Sequence, residues 1–136
     1  MTVLVTGGTG YTGRYIVEAL LAAGESVQCL ARPASDTGHL KALGVRVVEG
    51  DLEDSGGLAP ALEGVDAILC ASHIRFARHV SEACVRAGVT RALFFSSTWR
   101  FSKVATPEVS AVIEGETAVE ESGLDATLLR PTMIYG

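Results

Sequence analysis

The chain has little positive charge: 11 Lys and Arg stand against 16 Asp and Glu, a formal net charge of −5 at pH 7. Its basic residues are scattered, with no run of Lys or Arg. A nucleic-acid footprint needs a clustered basic face, so no nucleic-acid partner is expected. Cysteine is scarce too. Cys29, Cys70 and Cys84 are odd in number, widely spaced and set in apolar surroundings. That argues against a disulfide framework or a metal site and reads as buried thiols in a reducing, cytoplasmic compartment. No uncharged apolar run approaches the ~20 residues that span a bilayer. Met1 leads into Thr2-Val3-Leu4-Val5 without a basic region or cleavage site, so neither a membrane span nor a signal peptide is expected.

What is present is a globular composition, 48% hydrophobic and 20% charged over 136 residues. This is one domain by length, residues 1–136, able to bury roughly two-thirds of its unfolded surface. Apolar runs recur at residues 2–6, 26–31, 45–49, 66–71, 91–96 and 125–129. Several are continuous rather than alternating, as in parallel strands buried on both faces. Helical stripes lie between them. Residues 13–23 place Ile16, Val17, Leu20 and Leu21 on one face before Gly24, and residues 76–88 place Val80, Ala83, Cys84 and Ala87 together before Gly88. Residues 107–121 open on Pro107 and carry Val109, Val112, Ile113 and Val119. The segments 37–44 and 55–64 are long enough for one or two helical turns each. The alternation predicts an α/β fold, a Rossmann-type doubly wound parallel sheet of about six strands. Only seven residues follow the last strand, so a C-terminal substrate region is expected to be absent from these residues.

The stretch Thr6-Gly7-Gly8-Thr9-Gly10-Tyr11-Thr12-Gly13 follows the first strand and opens a helix, the context of a phosphate-binding loop. Gly7 and Gly8 allow a tight turn, Gly10 lets backbone approach a pyrophosphate, and Gly13 lets the helix pack closely. The N–H groups of Tyr11 and Thr12 would then face the phosphates, with the helix dipole behind them. At the end of the second strand an acid would bind a ribose 2′-OH, whereas an Arg favours a 2′-phosphate. Arg32 stands there, with no acid before Asp36, so NADP(H) is favoured over NAD(H). A solvated loop arginine is the alternative, and Arg14 is a second candidate. Asp51 and Leu52, after the third strand, are placed to meet an adenine, or Asp51 caps the next turn. Ala71 closes the fourth strand on the same edge. His73 and His79 have no partners at metal-ligand spacing and read as ordinary structural histidines.

Together these residues resemble the short-chain dehydrogenase/reductase superfamily, in its extended or atypical branch. The likeness runs through TGGTGYTG, Arg32, GDLED at 50–54, ACVRAGVTRALFFSST at 83–98 and SGLDATLLRPTMIYG at 122–136. The last piece is similar to epimerase- and dehydratase-like members. The resemblance implies that Gly7, Gly10 and Gly13 hold the pyrophosphate, Arg32 reads the 2′-phosphate, and Asp51 and Leu52 contact adenine. It also implies that Thr98 is the catalytic hydroxyl and that Pro131 and Thr132 lie against the nicotinamide.

One departure matters. The family's Tyr-x-x-x-Lys pair, the proton donor and its partner, is missing: the corresponding places in PEVSAVIEGETAVEE hold Glu108 and Val112. Lys103 and Glu116 are the replacements to consider, against a solvated loop lysine and a structural pairing of Glu116 with Arg130. The expected function is therefore an NADP(H)-binding oxidoreductase or epimerase-like enzyme with a small-molecule substrate. The alternative is a non-catalytic NADP(H) sensor or cofactor-stabilised interaction protein. A homo-oligomer is left open.

Overall fold

The computed structural model describes residues 1–54 and 56–135; Ser55 and Gly136, which bound two of the segments named above, lie outside the described residues. Strands and helices alternate as β1 (Thr2–Thr6), α1 (Tyr11–Ala22), β2 (Ser26–Ala31), α2 (Gly38–Ala42), β3 (Arg46–Glu49), α3 (Ala59–Leu62), β4 (Ala67–Cys70), α4 (Ala77–Ala87), β5 (Arg91–Phe95), α5 (Pro107–Glu121) and β6 (Asp125–Leu129). Single 3₁₀ turns at Ile74–Phe76 and Thr98–Phe101 precede α4 and α5. The strands form one parallel sheet in the order β3-β2-β1-β4-β5-β6. This is the doubly wound arrangement expected from the alternation.

Local chemistry sets the helix ends. Thr106 caps α5, its Oγ1 accepting from the Val109 N–H at 3.2 Å, and Pro107 and Glu108 fill the first turn. This pattern satisfies an orphan donor and places negative charge at the positive end of the helix dipole. Gly88 ends α4 in the left-handed conformation, where residues with a Cβ are penalised. The predicted helix at 76–88 therefore divides into a 3₁₀ turn and a shorter α-helix. The first helix starts at Tyr11 rather than at residue 13.

The helices divide unequally between the two sheet faces. One core joins Leu4, Ile68, Phe94 and Val112 with residues of α3 and α4; the other joins Val3, Val5, Cys29, Val17 and Leu40 under α1 and α2. The second face is thus covered over β1, β2 and β3. On β5 and β6 it leaves Leu93, Phe95 and Thr127 half-buried and Leu129 exposed. The continuous apolar reading of the strands accordingly holds for β1 and β2, while β5 alternates between buried and half-buried residues. The buried Gln28 ties β2 to α3: its Nε2 donates to the Ala61 carbonyl at 2.6 Å. All six strands point their C-terminal ends to one edge, and β1 stands between β2 and β4 where the winding reverses. A crevice at that switch point is where such sheets bind ligands.

Candidate functional site

The loop from β1 to α1 forms the floor of that crevice. Gly7 has φ +74, and a Cβ on it would lie 3.0 Å from Ala71 C, Ser72 N and Ser72 Oγ at the end of β4. Behind it the fully buried Thr6 accepts a hydrogen bond at Oγ1 from Ser72 Oγ at 3.1 Å, joining the ends of β1 and β4. Gly10 is the N-cap of α1, makes no side-chain cap, and is followed by no acid in the first turn. The positive end of this twelve-residue helix is therefore uncompensated and open to an anion. A Cβ on Gly10 would meet only the Gly7 carbonyl oxygen, at 3.2 Å. The residues present thus fit a dinucleotide pyrophosphate: uncapped N–H groups and a cradle without side chains.

Two cavities flank this loop. On the β2–β3 side a cavity of about 360 Å³ is lined by Gly7, Thr9, Leu30, Ala31, Arg32, Ser35, Asp51, Leu52, Glu53, Arg75 and Phe76, among others. Arg32 and Asp51, read from sequence as 2′-phosphate and adenine contacts, thus line one cavity with Leu52. Asp51 also serves its own loop, its Oδ1 accepting from the Glu53 N–H at 3.0 Å, so it meets the capping alternative while lining the cavity. Arg14 is engaged elsewhere. Its guanidinium donates to Tyr15 Oη at 2.9 Å and stacks over the Tyr15 and Tyr11 rings at 4.8 and 5.4 Å.

On the β5–β6 side a second cavity of about 270 Å³ is lined by Thr12, Ala71, Ser72, His73, Ile74, Phe95, Ser96, Ser97, Val112, Pro131 and Ile134. Ala71 and Pro131 therefore meet Thr12 there. Thr98 lies one residue past Ser97 as the first residue of a 3₁₀ turn, and neither it nor Thr132 lines either cavity. Val112, in the place of the missing lysine, presents an apolar surface to the cavity. Glu108 and Lys103 are exposed. Tyr11 is half exposed at the head of α1, and its hydroxyl reaches the Tyr135 carbonyl at 3.5 Å, so the segment after β6 passes the loop.

Glu116 sits behind the second cavity. It is 1% exposed. Its Oε1 and Oε2 accept from Arg130 Nε and Nη2, both at 2.8 Å, while Arg100 Nε approaches Oε2 at 3.3 Å. Oε1 also accepts from Ser96 Oγ. Hydrogen bonding from Arg130 outweighs burial and, with Ser96 and Arg100, holds the Glu116 carboxyl below its ordinary range. A carboxylate kept ionised in this way anchors structure rather than donating protons.

Arg75, Phe76, Ser35, Ser72, Ser96 and Ser97 were not singled out in the sequence. Each lies within a few residues of a strand's C-terminal end, so the rule that placed Ala71 would have found them. Among the described residues, no group of three or more His, Cys, Asp or Glu side chains is placed to hold a metal, and no helix is long and apolar enough to cross a membrane.

A parallel sheet with a glycine-lined, uncapped helix start at its switch point and a cavity on either side defines a dinucleotide-binding domain of the Rossmann type. Known proteins agree. The NAD(P)H-binding family model matches residues 7–135, and the chain belongs to that family, within the short-chain dehydrogenase/reductase superfamily. It is 32% identical over 145 residues to the photosystem II assembly factor Ycf39 of Synechocystis sp., covering 96% of this chain and 44% of that protein. Among solved structures it is similar to the Escherichia coli NADPH-dependent quinone oxidoreductase QOR2 in complex with NADPH, with 27% identity, a TM-score of 0.81, and coverage of 94% of this chain and 48% of that one. It is also similar to AtPrR2 with NADP+ and (+)pinoresinol, with 30% identity, a TM-score of 0.78, and coverage of 95% and 49%. The chain thus spans less than half the length of these three relatives.

Proposed function

We propose that the protein binds NADP(H) in preference to NAD(H) and works as an oxidoreductase on a small carbonyl compound. The observation that carries the cofactor preference is Arg32, which lines the cavity beside the glycine loop in the place where an acid would select NAD(H). In this reading Gly7, Gly10, Tyr11, Thr12 and Gly13 cradle the pyrophosphate. Arg32 and Ser35 face the 2′-phosphate, and Asp51 and Leu52 meet the adenine. Thr12, Ala71 and Pro131 border the nicotinamide end, with Thr132 continuing the segment. A dihydronicotinamide held by these residues would supply the hydride for the carbonyl carbon. Thr98 is the catalytic hydroxyl by resemblance; in this reading Ser97 takes that role, supported by its lining the cavity where Thr98 does not. The similarity to an NADPH-dependent quinone oxidoreductase supports a reductase, and quinones are the first substrates to test.

The second reading has its own support. Val112 stands in the lysine's place, no tyrosine follows β5 until Tyr135, and one relative is an assembly factor. A protein that only senses or is stabilised by the dinucleotide would show the same cradle. Consumption of NADPH with a quinone or ketone panel separates the two.

Two measurements test the cofactor assignment. NADPH at a hundredfold excess over its Kd should stabilise the fold by about 2.7 kcal/mol, read as a rise in Tm. No rise with NADPH or NADH would remove the dinucleotide from the proposal. Arg32→Ala should weaken NADPH by at least about tenfold, ~1.4 kcal/mol, with NADH nearly unchanged in isothermal titration. Equal losses for the two would show that Arg32 does not read the 2′-phosphate.

A further inference from the structure

The hydrogen bonds around the second cavity occupy some of its polar protons and leave others free. Ser72 Oγ donates its proton to Thr6 Oγ1 at 3.1 Å, and Ser96 Oγ donates to Glu116. Neither hydroxyl proton is available to a ligand. Ser97 differs, because its Oγ accepts from the Trp99 N–H at 3.2 Å and keeps its own proton. His73 differs in the same way. Its Nδ1 accepts from the Arg75 N–H at 3.1 Å as it caps the 3₁₀ turn after β4. A ring nitrogen that accepts is unprotonated, so the neutral ring carries its proton on Nε2. Capping explains Nδ1 and leaves that Nε2–H without a protein partner among the described residues. Partial burial, with Arg75 adding to it, lowers the His73 pKa and favours this neutral form.

We propose that His73 Nε2–H, with Ser97 Oγ–H, is the donor that binds and polarises the substrate's carbonyl oxygen, the role the missing tyrosine would fill. The inference rests on the reductase reading above. His73 comes from the end of β4 and Ser97 from the end of β5, neighbouring strands of the sheet, and both residues line the same cavity. As a hydride forms the new C–H bond at the carbonyl carbon, the π pair of the C=O bond moves onto oxygen. Fixed donors aimed at that developing charge stabilise it without reorganising. Water then supplies the proton: a ketone, one hydride and one proton give the alcohol. A quinone gives a hydroxydienone that loses its new C–H proton to water and takes one on the second oxygen to become the hydroquinone. His73 stays neutral throughout, since a proton on Nδ1 would break the bond from Arg75 N–H. Its ligand is a small ketone or quinone whose oxygen enters beside Pro131.

The test is a long-range proton–nitrogen spectrum of the histidine rings at neutral pH, in protein saturated with NADP+ and titrated with menadione, which the oxidised cofactor cannot reduce. The expected result is an unprotonated Nδ1 and a protonated Nε2 on His73, with the Nε2–H signal moving downfield as menadione is added. A protonated Nδ1, or an Nε2–H that does not move, overturns the proposal. In parallel, His73→Asn keeps an acceptor for the Arg75 N–H while withdrawing the donor from the cavity. NADPH oxidation with menadione should then lose kcat by about 100-fold, with NADPH affinity unchanged. Wild-type turnover that His73→Asn leaves intact overturns the role of His73 and spares the reductase. A shifted Nε2–H without any wild-type NADPH consumption retains the binding role and overturns the reductase.

Discussion

Gly13→Ala should both destabilise the protein and weaken NADPH binding, although alanine ordinarily stabilises a helix relative to glycine by up to ~1 kcal/mol. Gly13 is buried in the first turn of α1. A Cβ there would overlap the Gly7 carbonyl oxygen and lie 2.7 Å from Gly7 C and 2.8 Å from Gly8 Cα. These are backbone atoms, so no side-chain rotation relieves the clash. Either α1 lifts from the sheet or the glycine loop, the proposed pyrophosphate cradle, is pushed out of shape. The expected cost is about 1–3 kcal/mol in stability, seen as a lower urea midpoint with the slope unchanged. NADPH affinity should fall at least about tenfold. A raised midpoint with an unchanged Kd would show that this contact does not shape the loop.

Glu116→Ala should cost about 3 kcal/mol, the lower end for removing one partner of a buried ion pair. The lower end applies because Arg130 and Arg100, at 34% and 38% side-chain exposure, can turn towards solvent once the carboxylate is gone. The carboxylate joins α5 to the ends of β5 and β6 through Ser96 and Arg130, so its loss should also loosen Pro131 at the cavity. A loss below about 1 kcal/mol would place the cluster with ordinary surface pairs. The pH dependence follows in sign. The folded-state pKa lies below the 4.5 of an unperturbed glutamate, chiefly through Arg130. The unfolded chain therefore takes up the proton first as pH falls. The contribution is complete above 4.5 and is lost as the pH falls through the lowered value. Glu116→Gln, which keeps the shape but cannot titrate, should flatten that part of the acid limb, and an unchanged acid limb would assign it to other carboxyls.

How far the sequence could be read depended on how local the cause was. The glycine loop was legible because its requirements lie within eight residues: a turn at positive φ, an open N-cap and a close approach at Gly13. The Thr106–Pro107–Glu108 start of α5 and the Gly88 stop of α4 were legible for the same reason. The pairing of Glu116 with Arg130 could be named from the helical stripe, because a carboxylate there needs a cation. Its further bonds to Ser96 and Arg100 could not. The hydroxyl at the end of β5 was harder. Ser96, Ser97 and Thr98 are adjacent, and only the pleat of β5 and the 3₁₀ turn after it decide that Ser96 bonds Glu116, Ser97 faces the cavity and Thr98 stands outside it. Arg14 looked as available as Arg32 until α1 placed Tyr11 and Tyr15 against its guanidinium.

The amino-acid sequence by itself determined the αβ alternation, the parallel sheet, the dinucleotide cradle and the loss of the tyrosine–lysine pair, because periodicity, turn chemistry and residue spacing are short-range properties of the chain. Only the tertiary structure decided which protons remain free in the cavity beside Pro131. Whether a hydroxyl or imidazole can donate to a ligand depends on which groups from other strands already hold its atoms. His73, read from the sequence as an ordinary structural histidine, keeps a free Nε2–H because the Arg75 N–H occupies its other nitrogen.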